Sequence, residues 1–198
     1  MTAEIELKAH VKELDVILSN IRNTLGVSQE CFQEKRDIYL TNRVSEPSVR
    51  CRLERKGPDK DDLKSTLIIT AKNKLSKNGI EENEEFEIES EGKNFDTSVE
   101  MFKTLGYKIT LLKEKRGYSF IYDQFTFPLH IEVLEVKPLG WFLEMEFTVE
   151  KKLSFEEVEI LKNELIAALK MFGLHETDIE KRYYRDMLNE KRGMNYGI

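Results

Sequence analysis

The sequence predicts an α+β protein, a closed antiparallel tunnel of eight strands, charged inside and covered outside by amphipathic helices. Three observations point there. Long stretches of the 198-residue chain alternate apolar and polar side chains with a period of two. The polar face of these segments carries full charges, repeatedly of like sign at i and i+2: Glu4 and Glu6, Arg50 and Arg52, Glu85 and Glu87, Glu144 and Glu146. The other long segments repeat their apolar residues at helical spacing and stop at glycines.

Like charges two residues apart on one strand face repel, and the face costs stability unless opposite charge lies against it. For any single strand, the solvated side of an ordinary two-layer sheet is the simpler reading. For the whole set, a lumen that holds a polyanion and its metal ions accounts for the pattern better. Ile5, Leu7, Val49, Leu53, Leu67, Ile69, Phe86, Ile88, Leu143, Met145 and Phe147 would then point outward, under the helices.

Taken in order, EIELKAHV opens the chain as a strand with Glu4, Glu6 and Lys8 on one face. Residues 11–25 place Leu14, Ile17, Leu18, Ile21 and Leu25 on a helical stripe that Gly26 ends. Strands follow at 37–42, 48–55, 63–72 and 82–90, rich in β-branched and aromatic residues, with polar loops at 56–64 and 73–82. Asp96 opens a short helix that Gly106 closes. Residues 107–115, 118–124, 127–136 and 140–150 make a second group of strands. Ser154 and Glu157 form a capping box for a helix whose buried stripe is Val158, Leu161, Leu165, Ala168, Leu169 and Phe172. Residues 179–191 form a last amphipathic helix, which Tyr183 and Tyr184 would pack down.

No linker or low-complexity stretch divides the chain, so residues 1–198 read as one domain. With 31 Lys and Arg against 37 Asp and Glu, the net charge of −6 argues against nucleic acid or an anionic membrane as the main partner. No apolar run approaches the ~20 residues of a membrane span, and no signal-peptide core opens the chain. Cys31 and Cys51 fit no metal-ligand spacing. The expectation is a cytoplasmic protein with reduced thiols. His10, His130 and His175 are scattered and suggest no catalytic role.

The charged pairs resemble, in order, the signature of the CYTH superfamily, the triphosphate tunnel metalloenzymes. Glu4-x-Glu6-x-Lys8 is similar to the family's opening motif, Asp37 and Tyr39 to its Asp-x-Tyr, and Arg50 and Arg52 to its Arg-x-Arg. Lys72 resembles the Lys of its Thr-x-Lys, and Glu85 and Glu87 its Glu-x-Glu. Lys113, Lys115 and Arg116 then match its basic group, LGWFLEME its Leu-Gly-x-Phe-x-Glu-x-Glu, and RYYRDML its closing Arg-Ser-Tyr-x-x-Leu-Leu. The likeness runs over roughly residues 3–188. Three positions depart from it: Asn83 replaces a usual Arg, Leu134 a usual metal-binding Asp, and Pro138 a commoner Gly. Glu132, two residues before Leu134 on the same strand face, is the substitute ligand that the resemblance suggests.

The resemblance implies a tunnel of eight strands and an enzyme that acts on a triphosphate with Mg²⁺ or Mn²⁺. By the same resemblance Glu4, Glu6, Glu144 and Glu146 would hold the metal, with Glu85, Glu87 and Glu132 beside them; carboxylate oxygens suit these hard cations. Lys8, Arg50, Arg52, Lys72, Lys115, Arg116 and Arg182 would bind the phosphates, the arginines through forked contacts. Glu4, Glu6, Lys8 and Lys72 are the catalytic candidates. EIELKAHV and RYYRDML look more like the class IV adenylyl cyclase branch than the inorganic triphosphatase branch, which begins Glu-x-Glu-Arg-Lys-Phe. The expected reaction is ATP to cyclic AMP and pyrophosphate. Hydrolysis of tripolyphosphate, thiamine triphosphate or a nucleoside triphosphate is the alternative, and a non-catalytic triphosphate-binding module a further one. The resemblance also suggests a homodimer.

Overall fold

The computed structural model describes residues 3–42, 48–77 and 80–195. Strands β1 (Ala3–Val11), β2 (Val27–Thr41), β3 (Ser48–Gly57), β4 (Lys64–Lys77), β5 (Ile80–Glu91), β6 (Lys108–Tyr122), β7 (Leu129–Lys137) and β8 (Gly140–Val149) form one antiparallel sheet. Its strand order is β1-β8-β7-β6-β2-β3-β4-β5. Helices α1 (Leu14–Asn23), α2 (Phe95–Thr104), α3 (Phe155–Met171) and α4 (Tyr184–Asn195) complete the α+β fold. Among the described residues no helix is long and apolar enough to cross a membrane.

The chain divides into two compact units, one formed by residues 1–31 and 117–198, the other by residues 32–116. The divisions fall inside β2 and β6, within continuous strands, so no linker marks them in the sequence.

In the first unit α1 and α3 lie on the apolar faces of β1, β7 and β8. Ile17, Leu18 and Ile21 of α1 and Leu161, Leu165, Ala168, Leu169 and Phe172 of α3 join Ala9, Val11, Ile131, Val133, Leu143, Met145 and Phe147 in one core. Each large aliphatic side chain buried there contributes about 1.5–3 kcal/mol. The Ser154 hydroxyl accepts from the Glu157 amide at 3.2 Å, and the Glu157 carboxylate accepts from the Ser154 amide at 2.8 Å, so α3 starts at the capping box read from the sequence. Leu25, expected on the α1 stripe, lies beyond the helix and is 91% exposed, because the helix ends at Asn23.

In the second unit the ladders set side chains in rows across the strands. Ile38, Cys51, Ile69 and Ile88 make one row of the apolar face, and Leu40, Val49, Ala71 and Phe86 the next. Phe95 and Val99 of α2, with Phe102 behind them, cover the β2–β4 part of this face. The expected burial of Phe86 and Ile88 is not found: they are 55% and 66% exposed. A helix about 10–12 Å wide spans only two to three strands spaced about 4.8 Å apart, and β5 is last in the order.

Further boundaries differ from the sequence reading, among them the start of the last helix, expected at residue 179 and found at Tyr184. The strand expected at 37–42 begins at Val27. The segments 107–115 and 118–124 are one strand, β6, running through Gly117. The polar loop expected at 73–82 is mostly the paired ends of β4 and β5, with Asn73 opposite Glu84 and Lys77 opposite Ile80. Polar strand ends look like loops when hydrophobic alternation is the signal.

Cys51 lies fully buried on the apolar face, as expected, and burial pushes its thiol up to about 11. At about pH 8 a thiol reagent should therefore modify half-buried Cys31 and spare Cys51 until the protein unfolds, a difference that peptide mass spectrometry reads directly.

Candidate functional site

Opposite the apolar rows of the second unit is a face of charges. Directly paired residues of an antiparallel ladder share a side, so three charged rows follow from the register. One holds Tyr39, Arg50, Thr70 and Glu87; the next Asp37, Arg52, Ile68 and Glu89; the third Lys35, Glu54, Thr66 and Glu91. From β6, Lys113 and Lys115 are also buried, 8% and 7% exposed. Arg50 and Arg52 are the like-charge pair that the sequence made conspicuous, and each is held by a different neighbour. Arg50 Nη2 donates to Thr70 Oγ1 at 2.9 Å, whose hydroxyl in turn donates to Glu87 Oε2 at 2.9 Å. Arg52 Nε and Nη2 donate to the two oxygens of Asp37, at 2.7 and 3.0 Å.

Asp37 has no solvent exposure, and Lys113 Nζ reaches its second oxygen at 3.1 Å while also bonding the Tyr39 hydroxyl at 3.1 Å. Burial alone would push this carboxyl up; Arg52, Lys113 and Arg50 outweigh it and hold Asp37 far below the usual carboxylate range. Burial likewise works to discharge Lys113, and the Asp37 charge overcomes it and raises the ammonium. Arg50 differs from Arg52 in one respect. Its Nε–H is buried and meets no acceptor among the described residues. Such orphaned donors are uncommon in folded proteins and call for a reason.

The first unit carries the acidic counterpart. Glu6 lies opposite Glu146, which lies opposite His130; Lys8 lies opposite Glu144, which lies opposite Glu132; Glu4 lies opposite Thr148. Five carboxylates and one ammonium thus occupy neighbouring positions on one face of β1, β8 and β7. Among the described residues, no three His, Cys, Asp or Glu side chains already converge as a metal cluster. The donor set is nevertheless all oxygen, the ligand type that Mg²⁺ and Mn²⁺ take, so these residues fit such an ion in chemistry.

The start of α4 lies against this face. The Tyr184 hydroxyl donates to Glu144 Oε1, and its ring stacks edge-on against Phe142 at 5.1 Å. Lys8 Nζ donates to the Arg182 carbonyl and sits 4.3 Å from the Tyr184 ring centre. Burial raises the Tyr184 phenol well above its ordinary value, and Glu144, Glu132 and Glu6 add to the shift. The Arg182 guanidinium binds Glu180 and Glu190.

Among the residues singled out from the sequence, Glu4, Glu6, Lys8, Glu132, Glu144 and Glu146 share one face of the first unit. Arg50, Arg52 and Glu87 share one face of the second, where Glu87 lies 3.7 Å from Arg50. Lys72 and Glu85 are register partners, and their side chains lie outside the described residues, as does that of Asn83. Lys115 is buried on the side of β6 that carries Lys113, whereas Arg116, next in sequence, is exposed on the opposite side. Strand alternation separates the two neighbours. Leu134 is fully buried opposite Phe142, an apolar position, and Glu132 is the carboxylate of that strand paired with Glu144.

Sequence reasoning left Lys35, Thr70, Tyr184 and the buried role of Asp37 out of the candidate set. For Asp37 the signal was present. Asp37 is the lone acid among Gln33, Lys35 and Tyr39 on alternate positions of β2.

Comparison with known proteins places the chain. Residues 2–184 match the CYTH domain. Similar solved structures include a protein of Pyrococcus horikoshii, 23% identical, with a TM-score of 0.69 over 96% of this chain and 100% of that one. A conserved hypothetical protein of Pyrococcus furiosus is 28% identical, with a TM-score of 0.61 over 93% and 99%. A candidate adenylate cyclase of Vibrio parahaemolyticus is 21% identical, with a TM-score of 0.64 over 94% and 97%. A search of curated protein sequences finds no match. The match to the CYTH domain covers nearly the whole chain, and the protein belongs to the CYTH domain family.

Proposed function

We propose that this protein is a divalent-metal-dependent enzyme that acts on a triphosphate, and that its reaction is the cyclisation of ATP to cyclic AMP and pyrophosphate. The observation that supports it most is the basic face built on Arg50 and Arg52. Its buried Arg50 Nε–H meets no acceptor among the described residues, and a phosphate oxygen would supply one. The closed tunnel is what the family resemblance implies; the described ladders form one sheet whose order runs from β1 at one end to β5 at the other. Arg50, Arg52, Lys72, Lys113 and Lys115 of the second unit grip the phosphates, and Lys8 of the first unit is a further phosphate contact that the resemblance implies. Arg116 and Arg182, one on the other side of its strand and the other bound to two carboxylates, would serve from the rim. Glu4, Glu6, Glu132, Glu144 and Glu146 would hold Mg²⁺ or Mn²⁺, with Glu85 and Glu87 beside the basic face.

When bound, the ion neutralises phosphate charge and lowers the pKa of the attacking hydroxyl. The chain's own part is positioning. The cations fix the triphosphate so that the ribose 3′-oxygen faces the α-phosphorus in line with the bond to the β-phosphate. The new 3′-O–P bond forms as the α–β P–O bond breaks, pyrophosphate leaves with the bonding pair, and the hydroxyl proton passes to solvent. The cyclase branch is favoured by EIELKAHV and RYYRDML, and the fold is shared with the Vibrio parahaemolyticus candidate cyclase.

Product analysis tests it. Purified protein is incubated with ATP, tripolyphosphate or thiamine triphosphate under Mg²⁺ and under Mn²⁺, and the products are separated by chromatography. Cyclic AMP with pyrophosphate is expected from ATP. Release of inorganic phosphate instead would mean water attacks the γ-phosphorus and would replace the cyclase with a triphosphatase. Binding without any product would leave a triphosphate-binding module.

A further inference from the structure

We infer that Asp37 is the positioning residue of the basic face, aiming Arg52 and Lys113 and thereby setting how tightly the face holds a triphosphate. The inference rests on the proposed function and adds a residue that binds no phosphate itself. Asp37 is an acid at the centre of a face meant for an anion. By charge alone it should weaken binding. Its geometry argues for the opposite effect.

Both Asp37 oxygens accept from one edge of the Arg52 guanidinium, from Nε at 2.7 Å and from Nη2 at 3.0 Å. A bidentate fork of this kind fixes a planar group far better than a single contact does. With one edge of the guanidinium locked to Asp37, the direction of its Nη1 edge is set before any ligand arrives. Lys113, from the strand on the other side of β2, has its ammonium fixed by two partners, Asp37 Oδ2 and the Tyr39 hydroxyl, each at 3.1 Å. One fully buried carboxylate therefore ties a β3 cation to a β6 cation. Arg50, on the neighbouring row, has no such fork among the described residues: its Nη2 donates to Thr70 Oγ1 at 2.9 Å and lies 3.7 Å from Glu87 Oε2. Preorganised donors hold an anion without first spending binding energy on ordering flexible side chains.

The test compares tripolyphosphate binding by calorimetry, at fixed salt, for the wild-type full chain and the variants Asp37→Asn, Asp37→Glu, Arg52→Lys and Asp37→Asn/Arg52→Lys, each checked for its native melt. Wild-type protein that does not bind tripolyphosphate would sink the proposed function before this inference is reached. Given wild-type binding, Asp37→Asn should raise Kd by about tenfold or more even though the face gains a positive charge, since a charge-assisted fork is lost. In turnover the same variant should raise KM and leave kcat within about threefold, whereas a purely structural defect would remove active molecules and lower kcat at constant KM. The double variant should bind little worse than either single one, because both break the same fork. Asp37→Glu keeps the charge and displaces the fork by one methylene, so it should weaken binding severalfold; it decides the matter if the Asn variant does not fold. Binding as tight as or tighter than wild type in Asp37→Asn, unchanged Kd in Asp37→Glu, or losses that multiply in the double variant would each overturn the inference.

Discussion

Glu6→Ala should abolish turnover, by about 100-fold or more, and leave the fold standing. Glu6 lies directly opposite Glu146, one register step from the Lys8, Glu144 and Glu132 row, so it belongs to the densest group of carboxylates on the acidic face. In the proposed reading it is a metal ligand, and even groups that only orient such ligands are worth 10- to 100-fold. The same position predicts an unusual stability effect. Facing carboxylates repel by about 0.2–1 kcal/mol, and removing one relieves that repulsion. Without metal the variant should melt at the wild-type temperature or up to about 4 °C above it. Added Mn²⁺ or Mg²⁺ should raise the wild-type melt, since an ion that binds only the folded state stabilises it, and should raise the variant's less. A variant that turns over at the wild-type rate would remove Glu6 from the ligand set. Loss of the native melt would show that Glu6 holds up the sheet.

Much of this arrangement could be read from the sequence because strand chemistry has a period of two. Glu4, Glu6 and Lys8 alternate with Ile5, Leu7 and Ala9, and the β1–β8 ladder sets that charged side against Glu144 and Glu146. Arg50 and Arg52 alternate with Cys51 in the same way, and Cys51 is buried with the apolar row, as expected. Alternation says which side of a strand a residue takes, yet it says nothing of what stands across the ladder. The pairing of Arg52 with Asp37 is a fact of register between strands, and no local pattern fixes register. The same holds for Tyr184. Its helical segment was legible as amphipathic, but its bond to Glu144 joins residues 40 apart in sequence. Lys115 and Arg116 err the other way: read as one basic group by adjacency, they are divided by the alternation itself. Phe86 and Ile88 were assigned to a covered face because their strand is amphipathic, and cover depends on how far a helix reaches.

Gly117→Ala should be among the most damaging single-methyl additions in the chain. In the sequence this glycine looks like a break between two strands, since KEKRGY pairs it with charges and a turn residue. The structure instead runs β6 straight through it. A Cβ at this position would lie 2.1 Å from the Val133 carbonyl oxygen and 3.1 Å from the Leu134 Cα, both backbone atoms of β7, and the glycine has a φ of +154°. Neither obstacle is a flexible side chain that can swing away, so the methyl forces the strands apart or breaks ladder hydrogen bonds. A cost of about 3 kcal/mol or more is expected, with a fall in Tm of about 6–12 °C. Gly106→Ala is the control. Gly106 has a φ of +88° but meets nothing within 4 Å, so that substitution should cost only the left-handed backbone penalty of about 1–2 kcal/mol. Thermal melts of the two variants separate the causes. Equal losses would mean that backbone conformation alone matters at Gly117, whereas a much larger loss there identifies close approach of β6 and β7 as the reason the strand needs a residue with no side chain.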